Sequence, residues 1–246
     1  MLRDRLIDTA TRLGIDEQLR DIRATLLPSY RGQHSGNHQL QLLLKSMLKE
    51  DSNCIDIGAY RGRVLAELLQ VAPRGRHIAY EPLPHLYKHL VKRFPAVEVR
   101  HAAVSNQEGE TTFTYVKAMP ARSGLRERSY VRSQQTEKIT VRLETLDRCL
   151  PAGYVPSLIK IDVEGAERLV FEGGIETISK HKPIIIFEHG KGGADYYDTA
   201  PRHIYELLHD KAGLDIFDMD GNGPYTLEQL EETYNRNDRW DFVAHA

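Results

Sequence analysis

Apolar residues in this chain gather into short runs that end on polar or acidic side chains, and stretches with helical spacing separate the runs. Asn53-Cys54-Ile55-Asp56-Ile57 is the first run; it breaks into Gly58 and Gly62, after which Val64, Leu65, Leu68, Leu69 and Val71 mark one face of a helix. A second run, His77 to Tyr80, closes on Glu81-Pro82, and Leu83 to Phe94 follows as a helix with Pro82 and Pro84 at its start and Pro95 past its end. Val97 to His101 reads as a third strand and Leu158 to Asp162 as a fourth. The fifth, Ile184 to Phe187, is apolar on both faces, as a central parallel strand should be. Ile204, Leu207 and Leu208 mark the last long helix, Leu214 to Met219 a sixth strand, and the short Trp240-Asp241-Phe242-Val243 an antiparallel edge strand.

Three stretches fall outside this alternation. Leu2 to Leu27 carries apolar residues at helical spacing up to Pro28 and predicts an amphipathic arm broken near Gly14. Its stripe could cover the sheet edge, roof the site or pair with a second copy in a homodimer, packing being the simplest use. A polar link, Ser29 to Asn37, then leads into a helix from about His38 to Lys49. Thr111 to Val116 and Lys138 to Leu143 alternate with period two and predict a hairpin inserted between the third and fourth strands. The hairpin's tip, Lys117 to Glu137, holds Arg122, Arg126, Arg128 and Arg132, suited to acceptor hydroxyls or an anionic group, or simply to solvent. Asp218-Met219-Asp220-Gly221-Asn222-Gly223 opens like a calcium loop, but Gln229 stands where the closing acid belongs, so a hairpin turn is expected.

With 246 residues the chain suffices for one α/β domain, here residues 51–246, preceded by a helical extension over residues 1–50. Thirty-three basic against 35 acidic residues give a net charge of -2, which argues against a general nucleic-acid binder. The two cysteines, Cys54 and Cys149, have no metal-type spacing and read as reduced core residues. His34 and His38 have metal-like spacing but no acid or cysteine beside them, so no metal is expected. No apolar run approaches the roughly 20 residues of a membrane span, and a cytoplasmic protein with no membrane partner is expected.

The glycine turn after the first strand could serve two ligands. A dinucleotide wants G-x-G-x-x-G with backbone N–H groups facing its pyrophosphate, whereas here the spacing is G-x-x-x-G and Asp56 would repel that anion. The cationic sulfonium and ammonium of S-adenosylmethionine reverse the argument. Glu81 is placed to accept hydrogen bonds from both ribose hydroxyls. Ala102, Ala103 and Val104 are candidates for an apolar wall beside the adenine. Asp56, Gly58, Ala59, Gly62, Glu81, Pro82, Ala103, Val104 and Asp162 make up the expected cofactor set.

These residues, and above all the block Ile159-Lys160-Ile161-Asp162-Val163-Glu164-Gly165-Ala166-Glu167, resemble the FkbM-type family of S-adenosylmethionine-dependent methyltransferases from about Asn53 to Val243. The resemblance implies a Rossmann-like class I methyltransferase fold, a mostly parallel seven-stranded sheet with its last strand antiparallel. It also implies methylation of a hydroxyl on a sugar, glycan or natural-product acceptor. Tyr60 and Arg61 depart from the family, which often has Asn and a small or apolar residue there. Transfer to oxygen needs a base, and the candidates are His189, which titrates near neutrality, then Asp162 and Glu164, with Glu188 orienting His189 or the acceptor. Glu167, in the first turn of a helix, reads as a cap. Tyr196 and Tyr197 are possible sugar-stacking rings. Two rivals remain: a nicotinamide-dependent oxidoreductase, and a non-catalytic cofactor-binding interaction module.

Overall fold

A computed structural model describes residues 31–128 and 135–246 of the chain, with the side chains of 31–38 excepted. The amphipathic arm, Arg132 and the imidazoles of His34 and His38 lie outside the described residues. The chain divides after Met47 into two units. In the first, α1 (Arg31–Met47) begins earlier than the expected His38 and absorbs most of the polar link. Gly32 and Gly36, at about 1 kcal/mol each relative to alanine, do not stop it.

The second unit, Leu48–Ala246, is built on a seven-stranded sheet. Its first half runs β1 (Cys54–Ile57), α2 (Arg63–Val71), β2 (Ile78–Tyr80), α3 (Pro84–Arg93) and β3 (Glu98–Arg100). β4 (Ala103–Val104), β5 (Gly109–Val116) and β6 (Thr136–Glu144) form a separate small sheet. After the short α4 (Leu146–Cys149) come β7 (Leu158–Ile161), α5 (Glu167–Glu172), α6 (Ile175–His181) and β8 (Ile184–Glu188). The chain then makes α7 (Pro201–Tyr205), which widens into a π-helical segment over Glu206–Lys211, and β9 (Asp215–Asp218), α8 (Leu227–Arg236) and β10 (Asp241–His245).

The sheet order is β3-β2-β1-β7-β8-β10-β9, parallel except for β10. β10 is therefore antiparallel as expected but lies between β8 and β9, which makes β9 the edge. The turn after β9 does not lead directly into its partner strand either. It feeds α8, announced in the sequence by the Thr226-x-x-Gln229 capping box, in which each side chain accepts the other's backbone N–H. Asp218 folds that turn by accepting the N–H groups of Asp220 and Asn222 and pairs with Arg239, so its carboxylate is spoken for within the chain.

Parity decides what each sheet face carries. Ile55, Ile57, Ile159, Ile161, Phe187 and Phe242 share one face and pack with Phe171, Leu208 and Leu230 of the helices. Ala79 lies on the other face in a cluster with Leu65, Leu90 and Phe94. Asp56 and Lys160, register partners on β1 and β7, share that second face. No helix among the described residues is long and apolar enough to cross a membrane.

Candidate active site

The parallel strands end on one edge, where ligands of open α/β sheets bind, and a cavity partly open to solvent sits there. Gly58 after β1, Glu81 and Pro82 after β2, Ala103 and Val104 in β4, and Asp162 after β7 all line it, as does Glu164. Phe113, Pro120, Ala121, Ser123 and Leu125 of the inserted sheet supply a wall that the sequence did not assign. Tyr60 lines it too.

Glu81 anchors the site. Its carboxylate is 4% exposed and accepts the Tyr60 N–H at 2.8 Å and the Leu83 N–H at 2.9 Å. Burial nevertheless pushes its pKa up to about 8, with the charges of Asp56 and Asp162 adding to the effect. Each oxygen holds one protein donor and keeps a lone pair for another. The turn that presents Tyr60 puts it at φ 51, a left-handed conformation that asparagine tolerates better than tyrosine.

Both glycines are required by the close approach of the protein's own atoms. Gly58, at φ +79, leaves room for backbone rather than ligand: a Cβ there would lie 1.9 Å from the Asp162 carbonyl oxygen. A Cβ on Gly62 would lie 2.2 Å from the Phe94 ring, so this glycine admits α3 rather than β1. The N–H groups of Gly58 and Ala59 both donate to the Tyr80 carbonyl, and neither Ala59, Gly62 nor Asp56 lines the cavity. Asp56 lies buried beneath the edge, its two oxygens without hydrogen-bond partners. Burial raises its pKa to about 6, and the nearby Lys160 charge opposes the rise.

Asp162 receives the Lys160 ammonium at 2.9 Å. Beyond it, Glu188 ends β8 and faces Asp241 across the β8–β10 register. The charge of Asp162, then burial, then Asp241 drive the Glu188 pKa upward. Glu164 holds an ion pair with Arg128, whose guanidinium also donates to the Gly192 carbonyl. Arg126 reaches the Tyr196 carbonyl and Asp198, while its N–H donates to the buried Tyr197 hydroxyl. The hairpin tip is thus tied to the 190–199 loop, and Tyr197 is a structural ring rather than a free stacking surface. Glu167 accepts the N–H groups of Val163 and Gly165 and so closes the turn after β7.

His189 and Glu188 do not line the cavity. The His189 ring is buried, stacks on Tyr234 at 5.0 Å, and has no hydrogen-bond partner on either nitrogen. Burial, with a smaller push from His203, drives its pKa down to about 4. Among the described residues no group of three or more His, Cys, Asp or Glu is arranged to hold a metal ion.

A model of the methyltransferase FkbM domain matches residues 56–214, the span that contains the cavity's acidic and glycine turns. The chain belongs to the FkbM methyltransferase family. The fold agrees: the crystal structure of methyltransferase FkbM from Methylobacillus flagellatus KT superposes with a TM-score of 0.52 at 14% identity, over 80% of this chain and 44% of that one. The AMB antimetabolite synthetase AmbE of Pseudomonas aeruginosa is 28% identical over 207 residues, covering 65% of this chain. The chain spans only 10% of that synthetase's length. An FkbM domain in this fold is an S-adenosylmethionine-dependent methyltransferase, and the expected Rossmann-like sheet is the one observed.

Proposed function

We propose that this FkbM domain methylates a hydroxyl oxygen on a sugar, glycan or natural-product acceptor, with S-adenosylmethionine held in the cavity at the carboxyl edge of the sheet. The observation that carries the reading is one cavity joining the buried Glu81 carboxylate, the apolar Ala103–Val104 wall and Asp162. Glu81 would take the ribose hydroxyls, Ala103 and Val104 would bound the adenine, and Asp162 would face the ammonium. No Lys or Arg is among the described residues of the cavity wall, and the Gly58 and Ala59 amides are already used by Tyr80. A pyrophosphate would find no cation on the described wall and neither of those two turn amides free, which disfavours a nicotinamide dinucleotide. When bound, S-adenosylmethionine supplies an electrophilic methyl group on a sulfonium.

In this reading Glu188, with Asp162 beside it, removes the acceptor's proton. A carboxylate whose pKa is raised by a like charge is a better base near neutrality than an ordinary one. His189 ranks behind it because burial holds the imidazole pKa down at about 4, which makes it a weak base near neutrality. The test is labelled-methyl transfer to hydroxylated acceptors with mass analysis of the product. Glu188→Gln should lower kcat by about 10²-fold or more with S-adenosylhomocysteine affinity unchanged. Full turnover in Glu188→Gln together with a dead His189→Asn would return the base to His189.

A further inference from the structure

β1 and β7 each interrupt an apolar run with one charged residue, Ile55-Asp56-Ile57 and Ile159-Lys160-Ile161, and the register sets Asp56 opposite Lys160. Register partners on adjacent strands share a sheet face about 5 Å apart, so an ion pair between these two is the simple expectation. The structure makes a different pair. Lys160 Nζ donates to Asp162 Oδ2 at 2.9 Å, and Asp56 is left 1% exposed with neither oxygen hydrogen-bonded. A buried carboxylate without a donor is costly and uncommon, and it calls for a physical reason.

Lys160 is placed to serve either aspartate. Burial disfavours its ammonium, but the charges of Asp162 and then Asp56 more than offset this and hold its pKa above the usual lysine value. Seen from Asp56, burial raises the pKa, and the Lys160 charge is the strongest influence against that rise. The charge of Asp162 adds to the rise, while Arg63 and the Leu65 N–H, at the start of α2, oppose it more weakly than Lys160 does. Glu188 acts on Lys160 less than either aspartate and is partly exposed, so water can solvate it. Asp162 itself is fixed. Its N–H donates to the Ile57 carbonyl at 3.0 Å, and its own carbonyl lies against Gly58, where a Cβ would come within 1.9 Å. The movable member of the pair is Lys160, a rotatable ammonium with three donors on a flexible four-carbon stem.

We propose that Lys160 is a positioning residue for the methyl donor, passing from Asp162 to Asp56 when the donor's ammonium takes its place on Asp162. The proposal rests on the methyltransferase reading, in which Asp162 lines the cavity and meets that ammonium. Two cations on one carboxylate repel each other, and Asp56 offers the displaced one an anion in register beside it. The donor's ammonium thus exchanges places with a cation instead of leaving that cation buried and unpaired. A nucleoside without the amino acid leaves Lys160 where it is. Asp56 thereby takes part in donor binding although it does not line the cavity.

The exchange is tested by calorimetry with S-adenosylhomocysteine and with 5′-methylthioadenosine, which keeps the nucleoside and thioether but has no ammonium. Wild-type protein should bind S-adenosylhomocysteine the more tightly. Asp56→Asn should weaken S-adenosylhomocysteine on the order of tenfold, within the couplings found between residues in contact, and leave 5′-methylthioadenosine unchanged. In a Lys160→Met background no cation needs a new partner, and Asp56→Asn should have no further effect. A merely structural Asp56 would weaken both ligands alike, and an acid attracting the ammonium from a distance would keep its effect in the Lys160→Met protein. Either result would overturn the proposal, as would equal wild-type affinities or an Asp56→Asn protein that binds S-adenosylhomocysteine as the wild type does. Should Lys160→Met fail to fold, crystal structures of the wild-type complexes decide the point. Lys160 Nζ should lie within hydrogen-bond distance of Asp56 with S-adenosylhomocysteine and of Asp162 with 5′-methylthioadenosine; Nζ on Asp162 or on Glu188 in both would overturn the exchange. Wild-type protein that binds neither ligand would instead bring down the methyltransferase reading, and this proposal with it.

Discussion

Single residues at this site are constrained by their neighbours' backbone more than by a ligand. Gly58 is the clearest case: alanine there would place a methyl group on the Asp162 carbonyl in a left-handed conformation. Gly58→Ala should cost on the order of 3 kcal/mol or more, seen as a lowered denaturation midpoint, and a melting curve like the wild type's would show that the turn can shift aside. The acid-and-glycine spacing was readable in the sequence because it is local. The reason for Gly58 was not, since the atom that fills its space comes from a strand more than 100 residues later. Glu81 was readable for the opposite reason: an acid just past the second strand has few uses in this fold other than at the carboxyl edge.

At the scale of elements, the inserted sheet closes the site that the parallel strands open. Period-two alternation in Thr111–Val116 and Lys138–Leu143 revealed the hairpin, and the observed pairing runs from Gly109↔Leu143 to Val116↔Thr136. Alternation names the two faces of a strand without saying which one meets the cavity, so Phe113 was not picked out beforehand. The tip is fastened by Arg128 to Glu164 and Gly192, and by Arg126 to Tyr196 and Asp198. Arg128→Ala should therefore speed amide exchange in residues 117–128 and 190–199 and raise the KM for the methyl donor several-fold, with a smaller change in kcat. Exchange rates unchanged in both loops would mean that the Arg126 contacts alone hold the tip. The placement of β10 inside the sheet was hidden because strand order is set by the crossover from β8 through α7 to β9, which leaves a gap for β10, and local alternation carries no trace of that gap.

Across the whole molecule, the ligand-free protein keeps several acids where ionisation is costly. Burial raises Glu81 to about 8, Glu167 to about 7 and Asp56 to about 6, each above its value in the unfolded chain. Stability from such groups is full below the unfolded pKa and is lost as pH rises through the folded one. His189, lowered to about 4, works the other way, adding stability as pH rises to 6.5 and nothing beyond. Between pH 6.5 and 8 the acids dominate, and Glu81 alone should cost on the order of 2 kcal/mol over that window at 1.36 kcal/mol per pH unit. The melting temperature should fall across this range, and Glu81→Gln should flatten the slope even where it lowers the curve. A wild-type profile flat from pH 6.5 to 8 would contradict the burial argument.

The function of this domain depends on what the cavity beneath the inserted sheet holds. Isothermal titration of the wild-type chain with S-adenosylhomocysteine, and separately with NAD, measures this directly. The expected result is saturable one-to-one binding of S-adenosylhomocysteine that weakens at least tenfold in Glu81→Ala, and no binding of NAD. Binding of NAD in preference, or an S-adenosylhomocysteine affinity that Glu81→Ala leaves untouched, would contradict the assignment of the site.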